Sequence, residues 1–216
     1  MAKTATLAKV DELLSRYPNL HVCKDALLSM VEPVCESYHA GHKLLTCGNG
    51  GSAADAEHIV VELMKGFLLP RTIDDALYRR MQEICPEEAD YFRENLQGAL
   101  PAVALVDQIA LNTAFANDQA ADLSFAQQVL GLGRAGDVLL GITTSGNSRN
   151  VLYAVQVAKA QGLKTIALTG KSGGKIKSMV DVSVCVPEDE TYRIQEYHLP
   201  IYHMLCIALE QEFFGE

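Results

Sequence analysis

KLLTCGNGGS, residues 43–52, is a short apolar run halted by glycines and followed by a serine. Lys43–Cys47 suits a strand buried on both faces. Gly48-Asn49-Gly50-Gly51 stops it, and Ser52 can cap a helix running to about Gly66. The pattern recurs downstream. Asp137–Thr143 (DVLLGIT) ends in Ser145-Gly146-Asn147-Ser148, and helical spacing follows from about Arg149 to Gln161. Pro101–Val106, Lys164–Thr169 and Val182–Val186 are three more strand candidates. Apolar residues recur at helical spacing over 4–16 and 22–40, and a long helix closes the chain from about Glu190 to Phe213. Short continuous strands alternating with helices predict an α/β fold, a doubly wound five-stranded parallel sheet flanked by helices. The N-terminal helices precede it, and all of residues 1–216 are expected to form one domain. Ligands of such sheets bind beyond the carboxyl ends of the strands, where both Gly/Ser/Asn loops fall.

Bulk properties narrow the function. The chain has 216 residues, 49% of them hydrophobic and 21% charged, which is a globular balance. Its net charge of -9 argues against general nucleic-acid binding but not against an anionic substrate held by backbone amides. No apolar run reaches the ~18 residues of a membrane span, and the N-terminal stretch lacks the apolar core of a signal peptide. The six cysteines have no CxxC spacing and read as reduced thiols of a cytoplasmic protein. Residues 68–99 are polar, acidic and helix-forming, and read as a helical insertion between the first two strands. A solvated or subunit-contacting surface accounts for such a segment, and so does an active-site lid.

The two loops carry the chemistry. Glycines at 48, 50 and 51 let backbone amides approach a ligand, and the helix N-terminus behind them adds partial positive charge. A tight strand-to-helix turn uses the same residues. Thr143-Thr144-Ser145-Gly146-Asn147-Ser148 presents four hydroxyls in six residues. It has no embedded Lys, so it is not a P-loop, and nucleotide triphosphate chemistry is disfavoured. A capped turn explains it alone; two such loops at one strand-end crevice suit a sugar phosphate. His58 and Glu62 stand four apart on the helix beginning at Ser52, on one face, where they can share a cation or merely a surface hydrogen bond. The last helix carries Gln195, His198 and His203. His58, Glu62 and His203 together offer N and O donors of the kind zinc accepts.

CGNGGSAADAEHIVVE, AND at 116–118, GDVLLGITTSGNS, ALTGKSGG and RIQEYHLPIYH occur in order, and with them the sequence resembles the phosphoheptose isomerase family of the SIS (sugar isomerase) fold, a flavodoxin-like arrangement. The resemblance spans about residues 20–213 apart from 68–99. It implies an aldose–ketose isomerase that converts sedoheptulose 7-phosphate to D-glycero-D-manno-heptose 7-phosphate by metal-assisted proton transfer through an enediolate. It also implies heptose biosynthesis, a homotetramer with sites at subunit borders, and one zinc per subunit held by His58, Glu62, Gln195 and His203. Glu62 and His203 fall at the family's acid/base pair. Asn49, Gly50, Gly51 and Ser52 fall in the first substrate loop, Asn117 and Asp118 at a substrate-contacting pair, and Thr143, Thr144, Ser145 and Ser148 in the phosphate loop. Gln195 is counted with the substrate contacts as well.

Three features depart from the family. Tyr192 stands where an acidic residue often precedes RIQE, Pro200 lies inside the last helix, and the 68–99 insertion is longer than the usual connection. They leave the choice of sugar phosphate open. A straight helix also separates Gln195 from His203 by about 12 Å along its axis, so both reaching one cation requires long side chains, an early irregular turn, or a bend such as Pro200 could supply. The rival function is a non-catalytic tetrameric scaffold like the protein that associates with the DnaA initiator. That relative lacks the carboxylate this chain has at Glu62. A sugar-phosphate-sensing regulatory module is a third possibility, though such modules usually accompany a DNA-binding domain.

Overall fold

The computed structural model describes residues 2–215. Five strands form one parallel sheet: β1 (Leu44–Cys47), β2 (Ala102–Ala104), β3 (Val138–Ile142), β4 (Lys164–Thr169) and β5 (Val182–Cys185), in the spatial order β2-β1-β3-β4-β5. The chain passes from β1 outward to β2, then returns to lay β3 on the other side of β1. Strand order therefore reverses between β1 and β3, the switch point at which loops diverge and leave a crevice.

Successive side chains of a strand point to opposite faces. Leu44, Leu140, Ile142, Ile166, Leu168 and Val184 join one core. It is completed by α1 (Thr4–Arg16), α2 (Lys24–His39), α3 (Gly51–Met64) and α9 (Thr191–Phe214). Leu45, Cys47, Leu139 and Ala167 join the other, under α7 (Ser124–Leu132) and α8 (Arg149–Ala160). The helix leaving β1 thus covers one face and the helix leaving β3 the other, which is the expected double winding. Both N-terminal helices form, with a 3-10 segment at Pro18–Cys23 leading into the second. Among the described residues no helix is long and apolar enough to cross a membrane.

Two stretches differ from the sequence-based expectation in detail. Residues 107–136, to which no element was assigned, contain α6 (Ile109–Phe115), a π-helical turn at Ala116–Ala120, a 3-10 turn at Ala121–Leu123 and α7. The α7 sequence SFAQQVLGL is short, and it buries the polar Ser124 and Gln128 while exposing Leu130 and Leu132, so its apolar residues do not mark its buried face. The insertion is helical, as α4 (Asp75–Ile84) and α5 (Ala89–Asn95). The side chain of Asp74 caps α4 by accepting from Leu77 N at 2.8 Å. No α4 residue is buried. The two helices are held to each other by Arg93–Asp75 at 2.9 Å and Tyr78–Asp90 at 2.5 Å, and a Thr72–Gln97 bridge closes their base.

Candidate functional site

The two loops meet at the switch point. After β1, Gly50 takes φ +58, a conformation open to glycine at little cost, and the chain turns into α3. After β3, Gly146 takes φ +66 and packs directly on the backbone of Gly173 and Gly174, so no side chain fits there. Across the crevice Asn49 and Asn150 exchange amide hydrogen bonds, Asn49 Nδ2 to Asn150 Oδ1 at 2.9 Å and Asn150 Nδ2 to Asn49 Oδ1 at 2.8 Å. This reciprocal pair ties the glycine loop to the first turn of α8. Thr143 and Ser148 hydroxyls lie 2.9 Å apart, and Asn147 N donates to Ser145 Oγ at 3.2 Å. Thr143 is buried, Thr144 and Ser148 are half-buried, and Ser145 is exposed. The hydroxyls thus line a shallow cradle with backbone amides beside it, suited to an anion.

Asn150 was not among the residues singled out from the sequence. Its signal is weak, a single amide one residue into a helix, and its partner lies 101 positions away.

A second cluster lies further along α3. His58 and Glu62 occupy one face, with Nε2 and Oε1 3.2 Å apart. Lys65 Nζ reaches Glu62 Oε2 at 2.9 Å. α9 packs beside α3 and brings His203 in, its ring centroid 5.0 Å from that of His58 and nearly perpendicular to it. Tyr202 stacks edge-on against both imidazoles. Glu62 is only 8% exposed, and His203 Nε2 is buried with no hydrogen-bond partner. Burial, with the neighbouring His58 next in weight, lowers the His203 pKa, so the ring is neutral at neutral pH. A cavity of about 450 Å³ opens at His203, lined on its far side by Lys9, Arg16 and Tyr17.

The C-terminal end of α3 is braced by a buried ion pair. Arg71 Nε donates to Glu210 Oε1 at 2.8 Å, while its two terminal nitrogens donate to the carbonyls of Leu63 and Glu62 at 2.8 and 2.9 Å. Glu210 also accepts from Phe67 N, Leu68 N and Leu69 N at 2.8, 2.8 and 3.0 Å.

The remaining candidates are placed elsewhere. Gln195 packs on the start of α3: a Cβ on Gly51 would come 2.5 Å from its Nε2. α9 continues as one helix through Pro200, and Gln195 faces the glycine loop while His203 faces His58, two turns further along. Asn117 and Asp118 are exposed in the π-helical turn, where Asn117 Nδ2 donates to Asp118 Oδ1 at 2.8 Å. They make no hydrogen bond to either loop among the described residues. Ser52 is buried at the start of α3.

The donors fit a divalent cation in kind. An imidazole, a carboxylate and an orphaned imidazole nitrogen converge, and each is a ligand type zinc accepts. As they stand, no three His, Cys, Asp or Glu side chains among the described residues are gathered tightly enough to enclose a cation. His58 and Glu62 are engaged with each other, so a cation would take the place of their hydrogen bond.

Comparison with known proteins gives a consistent result. The profile of the SIS domain family matches residues 81–170. The phosphoheptose isomerase of Citrifermentans bemidjiense is 42% identical over 189 residues, which is 88% of this chain and 85% of that protein. The solved phosphoheptose isomerase of Neisseria gonorrhoeae superposes with a TM-score of 0.73 at 34% identity, covering 96% of both chains. That of Francisella tularensis gives 0.75 at 33% identity, covering 92% of both.

Proposed function

Because this chain belongs to the phosphoheptose isomerase family of SIS-domain proteins, we propose that it interconverts sedoheptulose 7-phosphate and D-glycero-D-manno-heptose 7-phosphate. The observation that carries this is the meeting of His58, Glu62 and His203 between α3 and α9. Along α3, Gly51 and His58 are separated by about 10 Å at the helical rise of ~1.5 Å per residue, so one extended sugar phosphate can reach from one cluster to the other.

Isomerisation moves a proton between adjacent carbons and passes through an enediolate. Glu62 is the base. Its carboxylate is held in place by His58 and Lys65, so little motion is needed before it takes the proton. His203, neutral and with a free ring nitrogen, exchanges the proton at the neighbouring oxygen. Thr143, Thr144, Ser145 and Ser148, with the amides of Asn49, Gly50 and Gly51, grip the phosphate and fix which carbons face Glu62. Gln195 lies over Gly51 and belongs to this substrate end. A zinc ion held by His58, Glu62 and His203 would polarise the sugar carbonyl and stabilise negative charge developing on oxygen. The Asn117–Asp118 pair is proposed to contact the sugar.

A homotetramer completes the reading. Val61, Met64 and Leu68 are exposed apolar side chains flanking Glu62, and a subunit contact there would bury them and close the cluster from solvent.

The test is turnover of sedoheptulose 7-phosphate by the purified protein, run with metal analysis and a solution mass. Conversion with about one zinc per chain is the expected result. Absence of conversion in zinc-supplemented protein overturns the proposal.

A further inference from the structure

Tyr202 is 1% exposed, and its hydroxyl is committed to the cluster. It lies 3.0 Å from His58 Nδ1, while the other nitrogen of the same ring, Nε2, lies 3.2 Å from Glu62 Oε1. The imidazole is therefore held at both ends. One end is fixed by a neighbour on its own helix, four residues on, and the other by α9. The ring of Tyr202 also meets the edges of both imidazoles, with centroids 5.4 Å from His58 and 5.0 Å from His203.

Behind the hydroxyl is Asp55, one turn before His58 on α3. Its Oδ2 is buried with no partner of its own. Glu62 can only accept, so in this arrangement Nε2 carries the proton and the Tyr202 hydroxyl donates to Nδ1. A cation taking the place of that proton at Nε2 would shift the ring proton to Nδ1, where it donates to the phenol oxygen. Histidines that bind metals are oriented in this way, by a hydrogen bond at the nitrogen that does not ligate.

We propose that Tyr202 is a positioning residue for His58: its hydroxyl anchors Nδ1, so that Nε2 faces Glu62 and the space between α3 and α9 as a cation donor. The inference rests on the metal-assisted reading above. It adds a residue that contacts neither cation nor substrate and is set by a hydroxyl, which the ring packing alone does not require.

The clean variant is Tyr202→Phe, which keeps the ring and its contacts and removes one oxygen. The measurements are zinc affinity by chelator competition and the side-chain nitrogen resonances of His58 in metal-free protein. A melting curve checks the fold. Zinc affinity is expected to weaken by about 10- to 100-fold, the usual effect of losing such a partner. The His58 resonances should move while the melting temperature stays near that of the parent. Unchanged zinc affinity overturns the proposal. If the parent protein takes up no zinc, it is the metal reading that falls, and the resonances alone decide the anchor: moved in Tyr202→Phe, they support it, and unmoved, they overturn it.

Discussion

At its N-terminal end α3 emerges from glycines, and what it offers a ligand there is backbone: amides, a helix terminus and nearby hydroxyls. At its C-terminal end it stops among charged side chains drawn from distant parts of the chain. Lys65 braces Glu62 locally, but Arg71 and Glu210 brace the backbone beneath it, and Tyr202 and His203 arrive from α9. The first end is built by local geometry and the second by long-range contacts. Binding an anion needs only donors in the right directions, whereas proton transfer needs one carboxylate held at one place. Mutations should therefore act differently at the two ends.

The largest expected effect is at the brace. Arg71→Ala leaves Glu210 charged and buried with its cation gone, a loss of about 3–5 kcal/mol. For a chain of this size that lowers the melting temperature by about 6–20 °C, as calorimetry would show. The same pair sets a pH dependence. Burial alone would raise the Glu210 pKa, but the amides of Phe67 and Leu68 and the Arg71 guanidinium outweigh it and hold the carboxyl below its ordinary value of 4.5. A depressed carboxylate adds stability above its unfolded pKa and loses it as the pH falls through the folded one. The parent should thus keep this contribution at neutral pH and lose it only in acid below 4.5, and a flat acid limb in the melting curves would contradict that.

Next in size is Glu62→Gln, which keeps shape and removes the proposed base. Turnover should fall by about 10²-fold or more, equivalent to roughly 2.7 kcal/mol of barrier, with KM little changed. Near-normal turnover would mean that the charged end of α3 is structural only.

The glycine end gives a sharper contrast because two of its glycines differ in what surrounds them. A Cβ at Gly48 would collide with the backbone of Ser52, which cannot give way without moving the loop. At Gly51 it would meet the end of the Gln195 side chain, which can swing aside. Gly48→Ala should cost about 1–3 kcal/mol of stability, as overpacked sites do. Gly51→Ala should leave stability within about 1 kcal/mol and show instead as a raised KM. Equal effects of the two on melting would remove the distinction.

The same contrast explains what could be read from the sequence. Five strands were legible because each is an apolar run ended by turn residues, and parallel order followed from the helices between them. The two loops were legible because Gly, Ser and Thr at strand ends are local signals. His58 and Glu62 were legible as an i, i+4 pair. Their meeting with His203 could not be read from spacing, since it depends on how α9 lies against α3. Gln195 illustrates this: α9 runs on through Pro200, and its packing over Gly51 at the start of α3 could not be read from its spacing to His203. Arg71, Glu210, Tyr202 and Asn150 were missed for one reason. Each looks ordinary in its own segment, and its role comes from a partner far away along the chain.

The smallest predicted effect concerns Asn150 and tests whether the two ends of α3 are independent. The Asn49–Asn150 pair is exposed, so removing it should cost little stability, about 1 kcal/mol or less for two neutral hydrogen bonds that water can replace. Its geometric role is larger. The reciprocal amides are the direct side-chain link between the loop after β1 and the helix after β3, and losing them frees Asn49 to turn away from the cradle. Asn150→Ala should therefore raise KM by a few-fold, an effect of about 1 kcal/mol on binding, while kcat changes little because nothing at His58 or Glu62 has moved. A fall in kcat with unchanged KM would show that the loop and the charged cluster act as one unit, and the division of α3 into a binding end and a chemical end would be wrong.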